Sequence, residues 1–147
     1  MRLVPGFDLA VPAGWQVAAR RQPPSVPGRI GNLLVHAASV PLPRDRGDFG
    51  SNVVTTLGAD DLFVCFFEYD KEAGSTPLFA SRGMPVPRPS DFDPNNMQRP
   101  RPGLSGGQWF FTASGRAWCL FAVLGSHSRR QSGAVRLHAL LKGVRIG

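Results

Sequence analysis

Residues 107–125 read GQWFFTASGRAWCLFAVLG, and the fold turns on how this stretch is read. In an extended chain Trp109, Phe111 and Ala113 share one face, and Phe110 and Thr112 the other. Across a turn at Ser114-Gly115-Arg116, the set Trp118, Leu120, Ala122 and Leu124 opposes Cys119, Phe121 and Val123. The second strand of this hairpin is apolar on both faces, which places it inside a sheet. After Gly125, Ser126 or Ser128 is placed to cap a helix running to about Lys142. Ala134, Leu137, Leu140 and Leu141 recur in it at the three- and four-residue spacings of one face. Gly143 then stops the helix, and Val144-Arg145-Ile146 returns as a short last strand.

The natural neighbour of this hairpin is Leu62–Tyr69, a continuous apolar run of strand length and composition that reads as the central strand. Leu33–Val40, between Gly31 and Pro41, is a further strand. Phe7–Val11 and Trp15–Val17, joined by Pro12-Ala13-Gly14, predict an N-terminal hairpin. Arg20–Arg29, with its three prolines, is a surface loop. Ser51 is expected to cap a short helix over Asn52–Leu57 that Gly58 ends. From about 72 to 108 the chain is mostly Pro, Gly, Ser, Arg and Asn, a long excursion of the kind that is usually functional or disordered. Gly103–Gly107 reads as turn, without the Lys-Ser/Thr of a phosphate loop.

The fold class that follows is α+β: one domain over 1–147, with an antiparallel sheet of about five or six strands and a C-terminal amphipathic helix packed on one face. The short helix and the Pro-rich segment, or a second subunit, must cover the other face.

Composition bounds the function more than it names it. The formal charge is +7 and, apart from Lys71 and Lys142, the cations are all arginines. Arginine is the better fork for phosphate or carboxylate, so a polyanion is a candidate partner through Arg20, Arg21, Arg29, Arg99, Arg101, Arg129 and Arg130. The same arginine bias is what a GC-rich bacterial genome yields, and the basic residues are spread along the chain instead of clustering. The N-terminus lacks the apolar core of a signal peptide and no run approaches the roughly 18–20 apolar residues of a membrane span, so a cytoplasmic location without membrane association is expected.

Catalytic constellations are thin. His36, His127 and His138 with Cys65 and Cys119 match no metal-ligand spacing, and both cysteines lie mid-strand among Phe, Val and Leu, where a thiol is inert; whether they pair is open. Asp60-Asp61 and Glu68-Tyr69-Asp70 bracket the central strand, where site carboxylates and ordinary solvated strand ends both occur. Arg99-Pro-Arg-Pro102 is an extended basic strip. No cofactor, metal or catalytic residue is assigned. The expected interaction surface is Arg99, Arg101, Arg129 and Arg130 with Phe92 and Trp109.

The N-terminal run Phe7-Asp8-Leu9-Ala10-Val11-Pro12-Ala13-Gly14-Trp15 resembles the opening of PsbP-like proteins, whose first hairpin commonly reads aromatic-x-apolar-x-x-Pro-x-Gly-Trp. The resemblance covers about nine residues with any specificity. It implies an α/β/α sandwich around an antiparallel sheet, used for binding protein partners. The expected function is therefore a non-enzymatic protein–protein interaction or assembly protein, with self-association as one form. The alternatives are a basic polyanion (nucleic-acid) binding protein, and a small-molecule-binding or enzymatic module with a pocket under 72–108.

Overall fold

The computed structural model describes residues 2–24 and 26–147, with the side chain of Arg2 left aside. Five antiparallel strands form the main sheet in the order β3-β4-β5-β7-β6: β3 (Gln16–Arg21), β4 (Leu33–Ala38), β5 (Leu62–Tyr69), β6 (Ser105–Ala113) and β7 (Arg116–Leu124). The central strand is β5, and β7 lies beside it in the register Leu62↔Leu124 through Tyr69↔Ala117. The two-residue β6–β7 turn has positive φ at both Ser114 (51°) and Gly115 (73°), the conformation that matches the twist of a tight hairpin.

A second sheet of three strands, in the order β1-β2-β8, is built from β1 (Arg2–Val4), β2 (Phe7–Leu9) and β8 (Val144–Ile146). This corrects the expected N-terminal hairpin: β2 and β3 belong to different sheets. The ladder that β2 would have offered to β3 is taken by β8, in the register Phe7↔Ile146 to Leu9↔Val144, and Ala10 N–H donates to the Gly143 carbonyl at 2.9 Å. The helix α1 (Arg130–Leu141) and the small sheet together cover the first face of the main sheet. Ala134, Leu137, Leu140 and Leu141 come from the helix, and Phe7, Leu9 and Val144 from the strands. Phe7 is the keystone, its ring 5.2 Å from Phe66 and 5.6 Å from Trp118. Fully burying a side chain of this size contributes about 1.5–3 kcal/mol.

The second face carries Phe63, Cys65, Phe67, Cys119, Phe121 and Val123, and it is covered without an α-helix. The helix expected over Asn52–Leu57 is a single 3-10 turn, Val54–Thr56. Asn52 sits at φ 72°, outside helical space, and the following Val-Val-Thr-Thr run is β-branched. Ser51 caps nothing there; its hydroxyl accepts from Gly47 N–H at 2.9 Å. Val53 from this segment, and Met97 and Leu104 from the Pro-rich excursion, supply the buried cover. At the start of α1, Ser126 Oγ accepts from Arg129 N–H at 3.3 Å, one residue ahead of the first helical turn.

The excursion is ordered by short 3-10 turns at Lys71–Ser75, Pro77–Phe79, Pro89–Asp91 and Pro94–Asn96. It meets the outer edge of β6 at two places. Gly83 N–H donates to the Thr112 carbonyl and Thr112 N–H to the Ser81 carbonyl, both at 2.8 Å; further along, Asp93 and Gly106 exchange bonds of 2.9 and 3.0 Å. Between these crossings Phe92 packs on the first face, and after them Met97 packs on the second. The expected turn at Gly103–Gly107 is corrected from Ser105 onward: Ser105, Gly106 and Gly107 are strand. Glycine is needed at the crossing, since a Cβ on Gly106 would stand 2.8 Å from Met97 Cγ.

Candidate functional site

A cleft of about 430 Å³ opens on the second face, between the 47–55 segment and the 97–101 segment. Phe121 and Val123 of β7 form its floor, and Phe49, Val54 and Met97 stand beside them. Phe49 is fixed by stacking on Phe67 (5.5 Å, 9° between planes) and by an edge contact with Phe121 (5.7 Å). Arg99 and Arg101 line the same cleft from the Pro-rich side, both exposed. Pro100 and Pro102 fix φ beside each of them. Asp48 lies at the opposite side, held by an ion pair to Arg20 and by Gln22 Nε2 at 3.2 Å.

The expected interaction surface divides. Phe92 is buried against Trp109, with ring centroids 5.5 Å apart, and Trp109 Nε1 donates to Asp91 at 3.3 Å. These two side chains belong to the first-face core and its margin, away from Arg99 and Arg101. Arg129 pairs with Asp60 at 2.8 Å, and Arg130 Nη1 donates to the His127 carbonyl at 3.0 Å. Of the other arginines considered for a polyanion, Arg20 is paired with Asp48, Arg29 with Glu72 at 2.9 Å, and Arg21 donates to the Gly31 carbonyl at 3.0 Å. Arg99 and Arg101 differ: the Arg101 carbonyl accepts from Leu104 N–H at 3.2 Å, but among the described residues neither guanidinium has an ion pair or hydrogen bond.

The bracketing carboxylates have structural employment. Asp61 accepts from Gly58 N–H and Ser39 Oγ, and Asp70 from Asn32 Nδ2 at 2.7 Å. Glu68 takes Leu33 N–H at 2.9 Å and pairs with Arg116 Nε at 2.8 Å. Arg116 also reaches the Gly6 and Gly147 carbonyls and lies 4.8 Å over the Trp118 ring, so it ties the small sheet to the end of the large one. A second cleft of about 670 Å³ adjoins this pair, but its carboxylates and arginines are largely matched to each other.

Three groups that suggest catalysis are spent on the fold. His36 is buried, its Nε2 donating to the Asp48 carbonyl at 2.6 Å while its Nδ1 accepts from Arg46 Nε at 2.7 Å. These two partners fix the neutral tautomer, and burial lowers its pKa from 6.5 to about 4, assisted by Arg46 and Arg20 and opposed by the Asp48 carbonyl bond. Cys65 and Cys119 are free buried thiols on the same face of adjacent strands. Burial raises the first well above its usual range and the second to about 11, although Gln108 Nε2 donating to Cys119 at 3.3 Å opposes the shift. Ser105 Oγ lies 2.9 Å from His127 Nδ1, a pairing hidden in the sequence because 22 residues separate them. Ser105 is fully buried, and the bond closes the β6 entry onto the approach to α1.

Among the described residues, no cluster of three or more His, Cys, Asp or Glu side chains is placed to hold a metal ion, and no helix is long and apolar enough to cross a membrane. The cleft itself could not be read from sequence, since Phe49, Met97 and Phe121 come from segments far apart in the chain. The one available signal was Arg99-Pro-Arg-Pro102, two cations with prolines between and after them. No protein-family model, curated protein or solved structure matches the chain.

Proposed function

We propose that the protein is a non-enzymatic binding module whose recognition surface is the cleft over Phe121 and Val123. The observation that carries this reading is the contrast among the arginines. Arg20, Arg29 and Arg129 are paired with acidic partners, and Arg21 and Arg130 are hydrogen-bonded to carbonyls, whereas among the described residues the side chains of Arg99 and Arg101 are unpartnered beside an apolar floor. Sites for small ligands combine such a floor with a few placed polar groups. A polyanion stripe is the weaker reading, because a backbone of phosphates needs several free cations along one surface, and Arg44, Arg82 and Arg88 do not line this cleft. Catalysis is also weaker, since His36, Cys65 and Ser105 are buried and already engaged.

The test is a chemically diverse fragment set scanned by NMR on the isotope-labelled protein. Shift changes should gather at Phe49, Met97, Phe121 and Val123. Shifts that gather elsewhere, or turnover of a substrate that survives blocking the cleft with Thr55→Trp, would sink the reading.

A further inference from the structure

We infer that the occupant of this cleft is a single-chain amphipathic anion, an alkyl or aryl carboxylate or sulfate bound as a monomer. This rests on the reading of the cleft as the recognition surface and names what it takes. The volume of about 430 Å³ is near the lower end of small-molecule sites, which run roughly 300–1,000 Å³, and suits one short apolar tail. The tail is matched by Phe49, Val54, Met97, Phe121 and Val123, which share the cleft with the polar Ser51, Asn52, Thr55 and Gln98.

The head is set by charge. Among the described residues Arg99 and Arg101 have no counter-ion, and both line the same cleft, so their unused donors are available to one occupant. A guanidinium offers carboxylate or sulfate two parallel N–H bonds, and two of them two residues apart can share one anion. Pro100 and Pro102 remove backbone freedom at this rim, lowering the ordering cost of binding. The acid at the far side does not cancel the pair, because Asp48 is held by Arg20 and Gln22. Cationic amphiphiles are disfavoured by the same two arginines. A long anionic polymer is disfavoured because the anion-binding groups adjoin a short apolar floor instead of extending into a stripe.

Isothermal titration of the intact chain with decanoate, decanol, decyltrimethylammonium and inorganic sulfate, each below its aggregation concentration, tests this. Decanoate should bind saturably with Met97 and Phe121 shifting in parallel NMR spectra, roughly tenfold tighter than decanol, while decyltrimethylammonium and sulfate do not saturate. The double variant Arg99→Ala/Arg101→Ala should lose that roughly tenfold advantage and leave decanol binding unchanged, its unfolding midpoint staying that of the parent because both side chains are exposed. Thr55→Trp at the rim should weaken decanoate and decanol alike. Equal affinity for decanoate and decanol, indifference of decanoate to the arginine variant, or partition to phosphatidylglycerol vesicles without binding of monomeric decanoate would each overturn the inference. If decanoate fails while uncharged or cationic fragments still shift the cleft, only the ligand class falls. If no probe of any class shifts the cleft, the recognition surface falls with it.

Discussion

Acid should destabilise this protein through one histidine. His36 is buried and neutral in the fold, with a folded pKa of about 4 against an ordinary value of 6.5. Between those values the unfolded chain binds a proton that the folded chain refuses. Stability therefore falls as the pH drops from about 6.5 towards 4, and this contribution is fully present only above the unfolded value. At about 1.4 kcal/mol per pH unit, the gap of 6.5 to about 4 corresponds to about 3 kcal/mol. That is a large part of the roughly 5–15 kcal/mol that holds a domain together. The largest cause is burial of the ring, and protonating Nδ1 would in addition set an N–H against the Arg46 Nε–H that it now accepts, 2.7 Å away. The assay is the urea midpoint at pH 7.5, 6.5, 5.5 and 4.5, for the parent and for His36→Gln. The variant should be less stable at neutral pH, because Arg46 and the Asp48 carbonyl lose well-placed partners, and the difference should shrink steadily with acid. Parallel stability curves across that range would refute the reasoning.

Other perturbations have equally direct readouts. Arg116→Ala should cost about 2–4 kcal/mol in urea unfolding, since it strands the largely buried Glu68 and frees the Gly6 and Gly147 carbonyls; a loss below about 1 kcal/mol would mean the pair is idle. Gly106→Ala should cost about 1–3 kcal/mol and speed proteolysis within 93–104, because its Cβ would meet Met97 Cγ at 2.8 Å. Cys65 and Cys119 should react with a thiol reagent only at the rate of unfolding, as burial raises both thiols; rapid labelling of the native protein would contradict their placement.

The interior of the large sheet was legible because its signal is local. Leu62–Tyr69 and Ala117–Leu124 are apolar on both faces, and no arrangement other than neighbouring inner strands satisfies both. The turn at Ser114-Gly115 was legible for the same reason. What sequence could not show was which strand a short segment would choose. Phe7–Leu9 alternates as any strand does, but its ladder partner lies at the far end of the chain, and its pairing with Val144–Ile146 has no local signature. Short β-branched stretches are equally ambiguous, so Val54–Thr56 became one 3-10 turn. At the candidate site, the arginines looked alike as a list. Which of them are neutralised depends on distant carboxylates, such as Asp60 for Arg129 across 69 residues, and only the folded chain sorts the free from the engaged.

The double crossing of β6 by the Pro-rich excursion bears on how the sheet ends. An edge strand presents unpaired N–H and C=O groups that template a further strand, and β6 is long and carries Trp109, Phe110 and Phe111. Ser81–Gly83 and Asp93 occupy those groups at both ends of the strand, while prolines at 77, 85, 87, 89 and 94 keep the covering segment itself from offering a ladder onward. The opposite edge, β3, is defended differently, by exposed Arg20 and Arg21 followed by Pro23 and Pro24. A segment that resembles a removable insertion is thus a guard against growth by strand addition. Excising 81–93 should leave the central strands intact and convert the domain into a seed for assembly along its β6 edge.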